Sequence, residues 1–509
     1  MPATPTIILR SNPGIKRDGT KFDGDFYTDG QWMRFQRGLP RKIGGYRSIN
    51  RYLQEISRGF TSFTQQGLQY CHSGGASKIQ RFTVDANNNS SPIVDRTPAG
   101  FVSNPLNQWM FVNSYDSSTT QNTLFAHVSP NLSCVCNDTG GAIYSGDLTG
   151  TAALTSVSLP AGANATGGIV MLHPYLFYYG TAGIVGWSVA GTPTNLTGAG
   201  SGIARVWGQK IIKGFPLRAG SGSAPAGIFW AYDAVIRVSF TGGATVFQFD
   251  TIATDTSVMS PDSIVDYDGV FFWPGVDRFL MFNGVVREVP NQMNINWFFD
   301  NLNATQRSKV FAFKVPHYGE VWFCYPRGSA TECTHAVIYN AREQSWYDTA
   351  LPASGRASGG FNNGLSAPIL TDCVASGGYY KVWLHEYGVD EIDGQTINPI
   401  HSYFETADLS ELVKGKNEYL RISAIEPDFI QSGPMTFQVT GRANARSHEV
   451  YSSEFVFQET AETPSEQIIF LKEQRRELRV RFSSDSVGGD YQMGQIIGHI
   501  STGDRTVLG

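Results

Sequence analysis

The chain has 509 residues, of which 41% are hydrophobic and only 16% are charged. This length exceeds what one hydrophobic core usually supports, so several domains are expected, and the apolar content excludes a disordered chain. The formal net charge of -5 argues against a protein that wraps nucleic acid broadly, because such binding requires an excess of Lys and Arg.

Residues 1–58 form the positively charged part of the chain. Residues 1–60 contain 11 Lys or Arg and 5 Asp or Glu, whereas the rest of the chain is acidic. The segment has only a short apolar stretch and no cleavage-site pattern, so we expect no signal peptide. We interpret it as an N-terminal arm that carries one strand, Gln31–Gln36.

A basic and aromatic cluster within this arm is the candidate partner-binding site. Period-two alternation predicts different faces of a strand for Trp32 and Phe35. The cations could form a surface for an acidic protein partner or contact phosphate, or they could pair with acidic loops of the same chain. Both interpretations remain open at this point. The predicted site consists of Trp32, Arg34, Arg37, Arg41, Lys42 and Arg47.

Residues 59–395 consist of short segments rich in Val, Ile and aromatic residues. Clusters of Gly, Pro, Asn or Asp bound segments such as Ala234–Phe240 and Glu320–Tyr325, as strands and turns require. Helical periodicity is confined to Met293–Asn301 and Ser410–Lys414. The sequence therefore predicts an all-β protein.

A loose repeat runs through the same region. An aromatic strand, a turn and a second strand recur at intervals of roughly 40–60 residues, close to the length of a four-stranded propeller blade. About seven such units fit between residues 59 and 395. We predict a β-propeller of about seven blades, closed by the strand Gln31–Gln36; two or three β-sandwiches built from unrelated hairpins are the alternative.

Residues 396–509 differ from the preceding region in composition and pattern. They contain more charged residues, and their polar and apolar residues alternate more regularly. Glu477–Phe482 places apolar residues on one face and charged residues on the other, which is typical of a half-buried strand. We predict an antiparallel β-sandwich domain for this region.

No residue pattern indicates catalysis, a cofactor or a metal. The chain contains no nucleophile elbow, no zinc-protease helix and no phosphate-binding loop. The acidic group Asp390, Glu391 and Asp393 lacks the ligand order of a calcium loop, and a solvated turn is the better interpretation. The six cysteines are too scattered for a disulfide framework, although Cys324 and Cys333 could face each other across a hairpin. The sequence predicts a protein that is not an enzyme.

Three stretches resemble tail nozzle and packaged-DNA stabilisation proteins of podovirus-type phages. In that family a segment of the form Trp-x-Arg-Phe-x-x-Gly-x-Pro-x-Lys-x-Gly-Gly precedes the propeller, and the run Tyr27–Ile49 has this form. The segments Glu320–Trp346 and Gly488–Arg505 are similar to later parts of the same family. The residues of this chain that match the family segment are Trp32, Arg34, Phe35, Gly38, Pro40, Lys42, Gly44 and Gly45.

The resemblance implies a structural protein of the virion tail, synthesised in the cytoplasm of the bacterial host. Proteins of this family form a hexameric ring below the adaptor that hangs from the portal. They extend the channel for double-stranded DNA, retain the packaged genome and anchor tail fibres or spikes. A receptor- or glycan-binding phage tail protein is the alternative function. No apolar run approaches the length of a membrane span.

Overall fold

The computed structural model describes residues 6–21, 24–130, 140–217, 224–243, 245–409, 419–443, 446–458 and 468–503. Within these ranges the protein is almost entirely β, with 44 strands and one α-helix, α1 (Ile295–Asn301). The predicted all-β class and the helix within Met293–Asn301 are thus confirmed; the predicted helix Ser410–Lys414 lies outside the described residues. None of the described helices is long and apolar enough to cross a membrane.

The described part of the N-terminal segment contains seven short strands. They serve different sheets and do not form a sheet of their own, apart from the parallel pair β2–β3. The strands are β1 (Thr6–Leu9), β2 (Asn12–Ile15), β3 (Phe26–Tyr27), β4 (Asp29–Gln31), β5 (Met33–Gln36), β6 (Leu39–Lys42) and β7 (Tyr46–Leu53).

Six four-stranded antiparallel sheets follow, and each is built from four strands that are consecutive in the chain. The first three sheets consist of β8 (Phe60–Gln65), β9 (Leu68–Gly74), β10 (Ile79–Val84) and β11 (Val94–Asp95); β12 (Gln108–Asp116), β13 (Gln121–Ser129), β14 (Ala142–Asp147) and β15 (Thr155–Val157); and β16 (Gly168–Leu172), β17 (Tyr175–Tyr179), β18 (Ile184–Trp187) and β19 (Gly202–Arg205). The next three consist of β20 (Ile211–Pro216), β21 (Ala226–Ala231), β22 (Ala234–Phe240) and β23 (Phe247–Thr254); β24 (Val265–Tyr267), β25 (Val270–Pro274), β26 (Phe279–Phe282) and β27 (Val286–Glu288); and β28 (Phe311–Val315), β29 (Glu320–Tyr325), β30 (His335–Asn340) and β31 (Ser345–Ala350).

The seventh sheet combines strands that follow the six sheets in the chain with a strand that precedes them. Its consecutive strands are β32 (Ser358–Asn362), β33 (Ala367–Thr371) and β34 (Tyr380–His385), and the N-terminal β7 pairs antiparallel with β34. A short hairpin, β35 (Glu391–Asp393) and β36 (Thr396–Asn398), extends the sheet beyond β7.

The prediction that Gln31–Gln36 completes the last sheet of the repeat is wrong, because β7 occupies that place. Trp32 has a φ of 52°, which interrupts the extended backbone. The run is therefore divided between β4 and β5, which belong to two different sheets. The strand that completes the seventh sheet does come from the N-terminal segment, but it lies about a dozen residues further along.

The first strands of successive sheets lie next to one another. β8 contacts β12, β12 contacts β16, β16 contacts β20, β24 contacts β28 and β28 contacts β32. The fourth and fifth sheets share a core that contains Trp230 and Trp273. Because β32 also contacts β8, the seventh sheet lies beside the first. Residues from all seven first strands, or from the segments just before them, line one cavity of about 450 Å³.

The C-terminal strands form two further sheets, each of six strands. The N-terminal β1, β5 and β6 join β38, β42 and β44 in one of them, and β4 joins β37, β39, β40, β41 and β43 in the other. Buried residues of both sheets, such as Ile422 and Phe482, belong to one hydrophobic core that continues into the sixth and seventh sheets. The strands are β37 (Ser402–Glu405), β38 (Leu420–Ser432), β39 (Met435–Arg442), β40 (Val450–Tyr451), β41 (Phe455–Phe457), β42 (Ile469–Arg475), β43 (Glu477–Ser484) and β44 (Asp490–Thr502).

The cysteines in the described residues are free and buried: Cys71, Cys324, Cys333 and Cys373. Cys324 pairs with Ala336 in the ladder between β29 and β30, whereas Cys333 lies in an isolated bridge with Arg356. The two residues considered as a pair across a hairpin are therefore not joined by a disulfide. Cys134 and Cys136 lie outside the described residues.

Buried histidines predict a loss of stability in mild acid. Burial lowers the pKa of His127 to about 4, and it lowers the pKa of His72 and His385 well below the ordinary value. These imidazoles stay neutral in the folded chain but take up protons in the unfolded chain below about pH 6.5. His127 therefore costs about 1.4 kcal/mol of unfolding free energy for each unit that the pH falls from about 6.5 toward 4, and His72 and His385 act in the same direction.

Chemical denaturation at a series of pH values measures this effect. His127→Gln should flatten the acid limb of the stability curve. A stability that stays constant from pH 7 down to pH 4.5 would contradict the neutral state of the buried imidazoles.

Candidate partner-binding site

The strands β5 and β6 form a hairpin whose tip lies against the sixth sheet. Gln36 and Leu39 are paired, so Arg37 and Gly38 form a two-residue turn, and both have a positive φ, of 55° and 74°. The carboxylate of Glu343 accepts hydrogen bonds from the backbone N–H groups of Arg37 (2.5 Å) and Gly38 (3.1 Å). The Arg37 residue itself is exposed to solvent.

Arg34 lies completely buried at the base of this hairpin. Its Nε lies 2.8 Å from Oε1 of Glu320, and its Nη2 lies 2.5 Å from Oε1 of Glu386. The guanidinium also stacks 3.6 Å from the centre of the Tyr318 ring. Burial lowers the pKa of Arg34, but the two carboxylates outweigh burial and hold the pKa above its ordinary value. The Arg34 cation therefore joins β5 to the sixth and seventh sheets.

Glu320 is the buried acidic partner of this arrangement. Besides Arg34, it accepts hydrogen bonds from Nε1 of Trp322 (2.9 Å) and from the hydroxyl of Tyr347 (2.6 Å). Burial raises the pKa of Glu320, and the guanidinium of Arg34 opposes that rise. Because each carboxylate oxygen has a donor, the charge is compensated inside the protein.

Trp32 and Lys42 are also buried within the chain. The Trp32 ring lies 5.8 Å from the ring of Tyr46, and its Nε1 donates to the carbonyl of Gly44 (3.2 Å). Lys42 Nζ donates to the carbonyl of Gly489 (2.6 Å), and burial lowers the pKa of this lysine. Neither residue is accessible to a partner in this conformation.

The other predicted cations are more accessible. Arg41 is half-buried and donates from Nη1 to Oε1 of Gln36 (2.7 Å). Arg47 is half-buried as well, and its guanidinium lies 5.5 Å from the centre of the Tyr387 ring. Arg34 thus pairs with carboxylates of its own chain. A docking surface on this segment would consist of Arg37, Arg41 and Arg47.

Two glycines next to β7 allow close backbone contact. A Cβ on Gly45 would lie 2.2 Å from the carbonyl oxygen of Asp390, and one on Gly44 would lie 2.7 Å from Oε2 of Glu386. No side chain fits at either position without displacing the backbone or the Arg34 ion pair. The Gly-Gly pair is therefore needed for the packing of this segment.

Sequence reasoning missed the acidic residues that fix the segment, Glu320 and Glu386. Glu320 begins a strand in which every residue is buried. A single Glu at the start of such an apolar run is a signal for a buried ion pair, because an unpaired buried carboxylate is costly. Glu386 gives no comparable signal, because it follows its strand.

The acidic residues considered as calcium ligands form hydrogen bonds or ion pairs within the chain. Asp390 accepts a hydrogen bond from the backbone N–H of Gly488 (2.8 Å), and Asp393 pairs with Lys381 (2.8 Å). Glu391 accepts from the hydroxyl of Tyr46 (3.2 Å). In the described part of the chain, no three His, Cys, Asp or Glu side chains are grouped to hold a metal ion.

The cavity between the first strands is lined by aromatic and aliphatic side chains together with ion pairs. Lys213 pairs with Asp262 (3.1 Å) at its wall. Arg58 and Lys309 also line it, and both pair with Glu332, at 2.6 and 2.8 Å. The cations at this wall are therefore compensated by carboxylates of the same chain.

Comparison with known proteins gives no family assignment. No protein-family model matches the chain. A search of curated proteins also found no significant match.

Proposed function

We propose that the seven sheets are the blades of a β-propeller and that the two C-terminal sheets form a β-sandwich. The contact between β32 and β8, and the cavity lined from all seven sheets, support a closed ring of blades. The strand β7 fits the role of a closing strand, because it completes the last blade from the other end of the chain.

We further propose that this protein is a structural subunit of a short-tailed phage tail. Six copies form the nozzle ring below the portal adaptor, extend the DNA channel and hold the packaged genome. The same ring anchors tail fibres or spikes. The role is structural and not catalytic, and the protein resides in the tail of the virion.

One observation carries this proposal: the three stretches that resemble the nozzle family meet in one place. Arg34, from the first stretch, pairs with Glu320, from the second, at 2.8 Å. Lys42, also from the first, donates to the carbonyl of Gly489, in the third, at 2.6 Å. Residues that are far apart in the sequence thus form direct contacts with one another. Such contacts favour a fold shared with the nozzle family over three chance similarities.

The proposed ring lets DNA pass without binding it tightly. Each Lys or Arg that faces the duplex adds a salt-dependent contact, and six-fold symmetry repeats every contact six times. With a formal charge of -5 on each chain, the ring as a whole is acidic. We propose a channel lined mainly by acidic and neutral polar side chains, with the exposed cations of residues 16–51 directed toward protein partners.

Arg37→Glu should weaken docking to the adaptor of the same phage by about tenfold, a loss of about 1.4 kcal/mol. The side chain is exposed at the tip of the β5–β6 hairpin, so charge reversal removes attraction to an acidic partner surface. Surface plasmon resonance with immobilised adaptor measures the change. Arg278→Glu, at an exposed position in the turn before β26, is the matched control and should not alter docking.

The same variants separate docking from DNA binding. Wild type should bind duplex DNA only weakly at physiological salt, and Arg37→Glu should change that affinity little. Tight DNA binding that Arg37→Glu or Arg41→Glu abolishes would contradict the proposal and identify the basic segment as a DNA clamp.

Deletion of the gene from the phage tests the function itself. Particles that lack a nozzle should package DNA and then lose it, because nothing below the adaptor retains the genome. Particles that keep their DNA but fail to adsorb to the host would contradict the nozzle and support the receptor-binding alternative.

A further inference from the structure

Two buried arginines lack the carboxylate partners that the other buried arginines have. Arg34, Arg356 and Arg479 are fully buried, and each lies within 2.8 Å of an Asp or Glu oxygen. Arg81 (7% exposed) and Arg96 (1% exposed) are also buried. Neither of these two forms an ion pair with any residue in the described ranges.

Arg81 and Arg96 lie at the contact between the first and second sheets. Arg81 donates from Nη1 to the carbonyl of Gly150 (3.0 Å), and Arg96 donates from Nε to the carbonyl of Ala152 (3.0 Å). These carbonyls belong to the turn between β14 and β15. The nitrogen atoms Nε of Arg81 and Nη1 of Arg96 are buried and have no hydrogen-bond partner among the described residues.

His72 lies on the same face as Arg81, because the two residues are direct cross-strand partners in β9 and β10. It is fully buried, and neither of its ring nitrogens has a partner among the described residues. The charges of Arg96 and Arg81 act on it, and together with burial they lower the pKa of His72. The neutral imidazole therefore offers one further N–H donor beside the two guanidinium groups.

The acidic group that acts electrostatically on both arginines is Asp147, and it forms no ion pair with either in the described structure. Its Oδ1 accepts a hydrogen bond from the backbone N–H of Thr149 (3.0 Å). Burial and the charge of Arg81 lower the pKa of Arg96 to about 10, so the guanidinium remains protonated at neutral pH.

The two buried guanidinium groups repel each other and have vacant donors, which favours a counter-charge beside them. An unpaired buried cation destabilises the folded chain, and an arginine cannot relieve this destabilisation by losing its proton. We propose that the first and second sheets hold a small inorganic anion between Arg81, Arg96 and His72. The anion accepts hydrogen bonds from the vacant guanidinium nitrogen atoms and from the imidazole N–H.

The donors indicate the chemical class of the ligand. The vacant groups are Nε of Arg81, Nη1 of Arg96 and the His72 ring, which suit chloride or a small oxyanion such as sulfate or phosphate. The His72 ring lies 6.3 Å from the ring centres of both Phe63 and Phe111, which also line the central cavity. The site therefore lies directly behind the cavity wall and fixes the turn between β14 and β15 to the first sheet.

Thermal unfolding in different salts at constant ionic strength tests the site. Sodium gluconate, whose anion is large, serves as the reference, and chloride, sulfate and phosphate replace it in turn. An anion at about 100 times its dissociation constant favours the folded state about 100-fold, so the melting temperature should rise progressively with the concentration of at least one of them. Equal melting temperatures in all four salts would overturn the proposal.

Variants assign the effect to this cluster. Arg96→Met should abolish the anion-dependent rise in melting temperature. Arg356→Met removes a buried arginine that already has a carboxylate partner, so this variant should keep the rise. If Arg96→Met does not fold, His72→Phe keeps the ring shape and should weaken the dependence. If whichever of Arg96→Met and His72→Phe folds still shows the full rise in melting temperature, the proposal is overturned.

Anomalous diffraction from wild-type crystals soaked in bromide locates the anion directly and requires no variant. A peak between Arg81, Arg96 and His72 is expected. The absence of a peak there, combined with bromide bound elsewhere, would overturn the site.

Discussion

Replacing Arg34 with methionine is expected to lower the free energy of unfolding by about 3–5 kcal/mol. The substitution leaves Glu320 fully buried and Glu386 largely buried without their shared cation. It also removes the cation stacked on Tyr318 and the link between β5 and the sixth and seventh sheets. Chemical denaturation monitored by tryptophan fluorescence measures the loss.

A matched pair of controls isolates the buried charge. Arg278→Met removes an arginine from the exposed pair with Asp277 and should cost at most about 1 kcal/mol. Adding Glu320→Gln to Arg34→Met should recover part of the lost unfolding free energy, because it removes one of the two carboxylates left without a cation. If Arg34→Met costs no more than Arg278→Met, the network does not hold the segment in place.

Deleting residues 1–53 is expected to prevent stable folding. The deletion removes β7 and leaves β34 of the seventh sheet unpaired on one side, and it takes β1, β4, β5 and β6 from the two C-terminal sheets. Unpaired strand edges promote aggregation. Size-exclusion chromatography and thermal scanning should show aggregates and no cooperative transition.

A shorter deletion is the control for this experiment. Among the described elements, removing residues 1–9 eliminates only β1, which pairs along one side of β44, and should leave a cooperative transition. If the chain without residues 1–53 melts like the full chain, the N-terminal segment is a dispensable arm and the closing role of β7 is wrong.

Local patterns in the sequence were enough to locate many strands. Ala234–Phe240 and Glu320–Tyr325 were predicted with the bounds that the structure has, because their apolar residues end at clear turn signals. Pairing between distant strands could not be predicted in this way. The N-terminal β4 pairs with β37, across most of the chain, and no local pattern indicates that partner.

The candidate site illustrates the same limit. Period-two alternation predicted separate faces for Trp32 and Phe35, but the positive φ of Trp32 breaks the strand and both side chains are buried. The burial of Arg34 follows from Glu320 and Glu386, which other sheets bring to it. The isolation of Arg96 from carboxylates depends likewise on tertiary packing, so sequence reasoning alone could not find it.

The mass of the native assembly is the sharpest test of the proposed hexameric nozzle. Native mass spectrometry of the purified protein counts the chains, each of 55.8 kDa, in the closed particle. We expect six copies arranged around an axial channel wide enough for duplex DNA. A stable trimer would contradict the account, because receptor-binding tail proteins are typically trimers and a three-fold particle cannot form the proposed ring.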